Sequence, residues 1–202
     1  MTRPTAHAPI TLNRRAVVAR ILRDRGTALV VSSLGNPTFD VGAAGDHPAN
    51  FYLWGGMGGA LMTGLGLALA QPDRRVLVFA GDGETMMGLG ALATVAVQRV
   101  PNLSLVVLDN EHYAETGMQP AHAGRGVDIA GIARAAGFAE ALAVRTDAAL
   151  EAAVPGLYTA PGPVLACIKV SIEPAPTSLP PRDGAYLRSR FREHVLGADA
   201  HR

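Results

Sequence analysis

The chain has 202 residues, enough for one domain with a real core; 49 % are hydrophobic and only 17 % are charged. A formal net charge of +1 supplies no field to hold nucleic acid, and one cysteine allows neither a disulfide framework nor an iron–sulfur ligand set. No signal-peptide pattern opens the chain and no apolar run reaches membrane-spanning length, so a cytoplasmic protein with no membrane partner is expected.

Residues 1–12 hold Pro, Thr, Ala and His without period and read as a loose arm. Asn13 then opens a helical pattern that Gly26 closes, with Val17/Ile21 and Val18/Leu22 four apart on one face. Arg14 and Arg15 read as part of its solvated face. Ala28–Val31, Val76–Ala80 and Leu103–Leu108 are short β-branched or Leu-rich runs, each followed by a helical stretch. Strands without apolar–polar alternation, separated by helices, predict a three-layer α/β fold: a mostly parallel sheet with helices on both faces. Gly58–Ala70 is a helix candidate rich in Gly and apolar all round, which predicts close packing and burial. Another helix starts near Thr85. Asp128–Ala136 has an N-cap Asp and Gly137 at its end. Ala141–Val144 and Val164–Val170 read as the last strands, and Cys167 within the latter as a small core residue. Pro-rich Glu173–Pro181 reads as a linker and Gly184–Leu196 as a final helix whose arginines are solvated. The expected division is thus an arm (1–12), one α/β domain (13–172), and a linker with a C-terminal helix (173–202).

Two motifs carry chemistry. Gly81-Asp82-Gly83 directly follows the run Val76–Ala80, and Asp109-Asn110 directly follows Leu103–Leu108; residues 84–109, 26 in number, separate Gly83 from Asn110. Ligands of doubly wound sheets sit beyond the carboxyl ends of strands, where both motifs fall. Asp82 and Asn110, on neighbouring strands, would offer the hard oxygen donors that magnesium takes together with phosphate oxygens. Gly81 and Gly83 remove side chains so that backbone N–H groups can approach a diphosphate, and a helix start adds its positive end. The chain has neither a Walker lysine motif nor a G-x-G-x-x-G turn after its first strand.

The stretch GDGETMMGLGALATVAVQRVPNLSLVVLDNEHYAETGMQ resembles the diphosphate-binding domain of thiamine-diphosphate enzymes, most of all the phosphonopyruvate and sulfopyruvate decarboxylase group. The similarity is dense from about Val30 to Gly137, and the ending PPRDGAYLRSRFR also fits. The resemblance implies that Asp82, the Asn110 side chain and the carbonyl of His112 bind magnesium. It implies further that Gly83 and Glu84 meet the diphosphate through their backbone, and that Ser32, Ser33 and Gly35 approach it from the first strand. Met57, 25 positions before Asp82, matches the apolar residue that props the cofactor into a bent shape. The carbonyl of Gly55 matches the acceptor for its 4′-amino group. Thr116-Gly117-Met118-Gln119 resembles the group's Thr-Gly-Gly-Gln, with Met118 departing from it and Gln119 facing substrate. His47, His112 and His122 are candidates for moving a proton, and Arg125 for attracting an anionic substrate.

The resemblance also implies a missing half. Enzymes of this class hold the aminopyrimidine in a second domain carrying an activating glutamate, yet only the residues up to Thr27 precede the first strand. By the match, Glu84 and Glu111 lie in the diphosphate half and do not fill that role. The implied protein is a thiamine-diphosphate- and magnesium-binding subunit of a 2-oxoacid decarboxylase, working in a hetero-oligomer with a separate α-type subunit. A carboligase subunit and a non-catalytic cofactor-binding subunit are the alternatives.

Overall fold

Strands buried on both faces need runs without alternation, and four such runs form the centre of the molecule. A computed structural model of the chain describes residues 10–201. β1 (Leu29–Ser32), β3 (Val76–Gly81), β4 (Leu103–Asp109) and β8 (Val164–Lys169) are buried along almost their whole length. With β2 (Asn50–Tyr52) and β7 (Glu140–Val144) at the edges they make a six-stranded sheet, order β2-β1-β3-β4-β8-β7, parallel at every pairing. A two-stranded ribbon, β5 (His112–Tyr113) against β6 (Gln119–Pro120), stands apart.

Helices cover both faces, as the expected three layers require. On one face lie α3 (Ala60–Ala70), α5 (Gly90–Gln98) and α6 (Ile129–Ala136), packed on Leu29, Val78 and Leu105. On the other lie α1 (Arg14–Arg23), α2 (Asn36–Ala43) and α7 (Asp147–Thr159), packed on Val30, Leu77 and Val106. Asn13 caps α1, accepting the N–H of Ala16, and Asp128 caps α6, accepting that of Gly131. α8 (Gly184–Leu196) returns to the β2 edge, where Leu187 is buried and Arg190 pairs with Asp46 at 2.6 Å. The segment leading to α8 is fastened too: Trp54 Nε1 donates to the carbonyl of Pro181 at 2.8 Å. Most of the expected arm lies outside the described residues; Leu12, at its end, is buried, and its carbonyl accepts the N–H of Ser171.

Three local expectations change. The helix expected near Thr85 begins at Asp82 and is broken, as α4 (Asp82–Met87) and then α5. At the break two backbones touch: a Cβ on Gly88 would strike the carbonyl of Gly58. α3 buries only Ala60, Leu61, Gly64, Leu65 and Ala68, while Met62 and Leu69 are exposed. Arg14 is no part of a solvated face. It is buried, drawn in by Asp40 on α2, which is fully buried; Arg14 Nε lies 2.8 Å from Asp40 Oδ2.

Candidate active site

The register of the sheet decides where the chemistry gathers. Ser32 lies opposite Phe79 and Gly81 opposite Leu108, so Ser33, Asp82 and Asn110 leave three adjacent strands at one end. They line a cavity of about 330 Å³, with Met57 entering from the loop before α3 and His112 from the loop after β4.

Asp82 is 2 % exposed, and its Oδ2 has no hydrogen-bond partner. Burial, with the charge of Asp109 behind it, pushes its carboxyl up to about 7. Asp109 itself is compensated, because Lys169 Nζ stands 2.8 Å from its Oδ2 and 2.5 Å from Glu111 Oε1. Asp82 and Glu84 are thus the buried carboxylates of the cavity wall that each keep one oxygen without a partner. Asn110 Oδ1 accepts the N–H of His112 at 3.0 Å and keeps a second lone pair. His112 stands opposite Pro120 at a non-hydrogen-bonded position of the ribbon, so its carbonyl is turned away from β6. Among the described residues no group of three His, Cys, Asp or Glu side chains is placed to hold a metal. The donors present are instead one carboxylate, one amide oxygen and one backbone carbonyl, which fit a hard, oxygen-seeking cation completed by phosphate. The Tyr113 ring fills the space a side chain at Gly83 would need.

Glu84 does more than its backbone was expected to do. Its carboxylate is buried, which raises its pKa, and Oε1 accepts the N–H of Ala60 at 3.1 Å. That N–H is an orphan donor at the start of α3, so Glu84 fixes the helix that follows the Met57 loop. No sequence pattern announced this: Ala60 and Glu84 are 24 positions apart.

The other expected residues divide. Ser33 and Met57 line the cavity, and Met57 is 39 % exposed there. Ser32 is fully buried behind it, its hydroxyl 2.6 Å from that of Thr38. Gly35 turns the chain into α2 at φ 74, with the Glu115 side chain against it. Gly55, two residues before Met57, is exposed and does not line the cavity. Gln119 lies on β6, exposed, and its amide is engaged with Thr116, which lines the cavity in its stead. Met118 stands at φ 60, where the resembled motif has glycine. His112 borders the cavity, and His122 reaches it only through the Tyr113 hydroxyl, 3.3 Å from Nδ1. His47 is at the other end of the sheet, before β2, with its Nδ1 accepting the N–H of Ala49. Arg125 belongs to a second cavity, beyond β7 and β8, together with Arg145 and Lys169. Cys167 is buried and free, as expected, and burial holds its thiol well above the usual range. Sequence reasoning missed Arg14, which lines the cavity that holds Asp82.

Comparison with known proteins gives this geometry a lineage. Residues 39–168 match the family described as thiamine pyrophosphate enzyme, C-terminal TPP binding domain. A Methanothermobacter thermautotrophicus protein named sulfopyruvate decarboxylase subunit beta is 37 % identical over 187 residues, covering 93 % of this chain and 97 % of its own. A phosphonopyruvate decarboxylase of Streptomyces hygroscopicus is 35 % identical over 196 residues, 95 % of this chain but only 47 % of its own. Among solved structures, a thiamin diphosphate-dependent enzyme from Mycobacterium smegmatis superposes with a TM-score of 0.69 at 27 % identity, covering 80 % of this chain and 32 % of that one. The chain belongs to the thiamine pyrophosphate enzymes, and its matched region is their C-terminal TPP-binding domain.

Proposed function

We propose that the chain is the cofactor-holding subunit of a 2-oxoacid decarboxylase of the sulfopyruvate or phosphonopyruvate type, binding thiamine diphosphate with magnesium. The observation that carries this reading is the buried Asp82 carboxylate, without a cation, one strand away from Asn110. Asp82, Asn110 and the carbonyl of His112 would hold the metal, and the backbone of Gly81–Glu84 the diphosphate. Met57 and the Gly55 carbonyl would fix the bend of the cofactor, and the apolar walls of the cavity keep water out. When bound, the cofactor supplies the electron sink for the carbanion left as carbon dioxide departs.

The catalytic unit requires a second chain. The chain spans about half of the Streptomyces relative yet nearly all of the archaeal beta subunit, which supports a partner subunit supplying the other half. An apolar surface is available for it: Met62, Leu69 and Val97 are exposed on α3 and α5, which pack side by side. Nothing among the described helices is long and apolar enough to cross a membrane, in keeping with a cytoplasmic complex. Calorimetric titration with thiamine diphosphate and magnesium, followed by a 2-oxoacid panel with the chain encoded next to it, tests the reading. Magnesium-dependent binding and aldehyde formation by the pair are expected. Coupling products without aldehyde would move the assignment to carboligation, and no binding by either preparation would remove it.

A further inference from the structure

The surroundings of Arg14 are unusual. It is 9 % exposed, on the first turn of α1, yet it lines the cavity that holds Ser33, Asp82 and Asn110. Its one charged neighbour is Asp40, met through Nε alone and in a geometry that leaves both Nε and Asp40 Oδ2 without a proper hydrogen bond. Asp40 is shared: Arg15 Nε also reaches it, at 3.2 Å. Two guanidinium groups thus share one buried carboxylate, and only that of Arg14 lines the cavity. The terminal nitrogens of Arg14 make no hydrogen bond to any described residue, whereas Arg15 spends one on the carbonyl of Pro176. A buried, under-partnered guanidinium calls for an anion, and a planar fork of donors matches phosphate oxygens best.

The neighbouring backbone agrees. Arg14 shares the cavity wall with Leu34, Asn36 and Pro37, at the start of α2. Gly35 at the N-cap supplies no side-chain acceptor and Pro37 has no N–H, so the N–H groups of Asn36 and Thr38 are the uncapped ones of α2. We propose that Arg14 grips the diphosphate of the cofactor, with Asp40 as the residue that positions it. The proposal rests on the reading of the cavity given above. It adds a direct cationic contact from the helix that precedes β1, outside both the Gly81–Gly83 turn and Asn110.

Three variants of the full chain separate this role from mere packing: Arg14→Gln, Arg14→Lys and Arg15→Gln. Each is titrated calorimetrically with thiamine diphosphate plus magnesium, and with inorganic pyrophosphate plus magnesium. Arg14→Gln should bind both about tenfold to a hundredfold more weakly, the scale of hydrogen bonds to a charged group. Arg14→Lys should recover only part, since it keeps the charge and loses the fork. Arg15→Gln disturbs the same buried carboxylate but does not line the cavity, and should stay within about twofold of the unaltered protein, as a packing role alone would not predict. Equal losses in Arg14→Gln and Arg15→Gln, or unchanged pyrophosphate affinity in the folded Arg14 variants, would overturn the proposal. So would normal cofactor affinity joined to a raised KM for the 2-oxoacid, which would make Arg14 a substrate residue. Failure of the unaltered protein to bind either probe would instead refute the cofactor reading on which the proposal stands.

Discussion

Replacing Asp82 by Asn should make the metal-free chain more stable at alkaline pH while destroying its magnesium-dependent cofactor binding. The carboxyl has an ordinary value of 3.8 and is pushed up to about 7 in the fold. Folding therefore favours the protonated acid. Below pH 3.8 both states are protonated and the group has no effect. Between 3.8 and about 7 the unfolded chain releases a proton that the folded chain keeps, so stability falls as pH rises, and above 7 the penalty is fully present. About 3 pH units at about 1.4 kcal/mol each makes a full penalty of about 4 kcal/mol. Between pH 5 and pH 8 the part that develops is about 2–3 kcal/mol. Urea unfolding in EDTA at those two pH values, for both proteins, gives the answer. The unaltered chain should lose that much more stability than Asp82→Asn, other titrating groups cancelling in the comparison. Magnesium with thiamine diphosphate should then stabilise only the unaltered chain. Equal pH slopes would mean that Asp82 is solvated or already paired, and the argument for a cation there would fail.

Lys169→Met should cost about 3–5 kcal/mol by leaving buried Asp109 uncompensated, and adding Asp109→Asn should recover most of it; additive losses in a double-mutant cycle would contradict the pairing. Met57→Ala should reduce turnover of the reconstituted enzyme about a hundredfold, the scale for misplaced reacting groups, with calorimetry showing little change in cofactor affinity. Parallel losses would make Met57 packing only. Leu69→Glu and Val97→Glu should leave the melting temperature of the isolated chain nearly unchanged and prevent association with the partner, as followed by size-exclusion chromatography. Retained association would place the interface elsewhere.

The central strands were legible because burial on both faces leaves one kind of sequence, an unbroken apolar run, and Val76–Ala80 or Leu103–Leu108 can be little else. The motifs that meet at the cavity were legible because they are local: a glycine turn with its acid, and an acid–amide pair at a strand end. What stayed hidden depends on contacts between distant residues. β2 is three residues at a sheet edge and carries no periodicity. α7 contains Pro155, which reads as a stop although it lies inside the helix. Arg14 has the context of a surface arginine until α2 folds Asp40 against it, 26 positions away. Glu84 reads as a backbone contact until α3 presents the N–H of Ala60. Gln119, placed in the site by its motif, is held by Thr116 on an exposed ribbon.

The contact between Gly58 and Gly88 sets a limit on engineering. A substrate-widening library would naturally randomise the Met57 loop together with the end of α4, because Met57 and Met87 both line the cavity. At Gly58 and Gly88 the backbones occupy the space that any side chain would take, so a bulkier residue at one cannot be offset by trimming the other. Functional members of such a library should keep glycine at both positions whatever is selected around them. Useful diversity should instead collect at Met87, which lines the cavity and is exposed, with Met57 kept as the prop. Chemists seeking a roomier enzyme should accordingly vary the rim and leave the crossing alone.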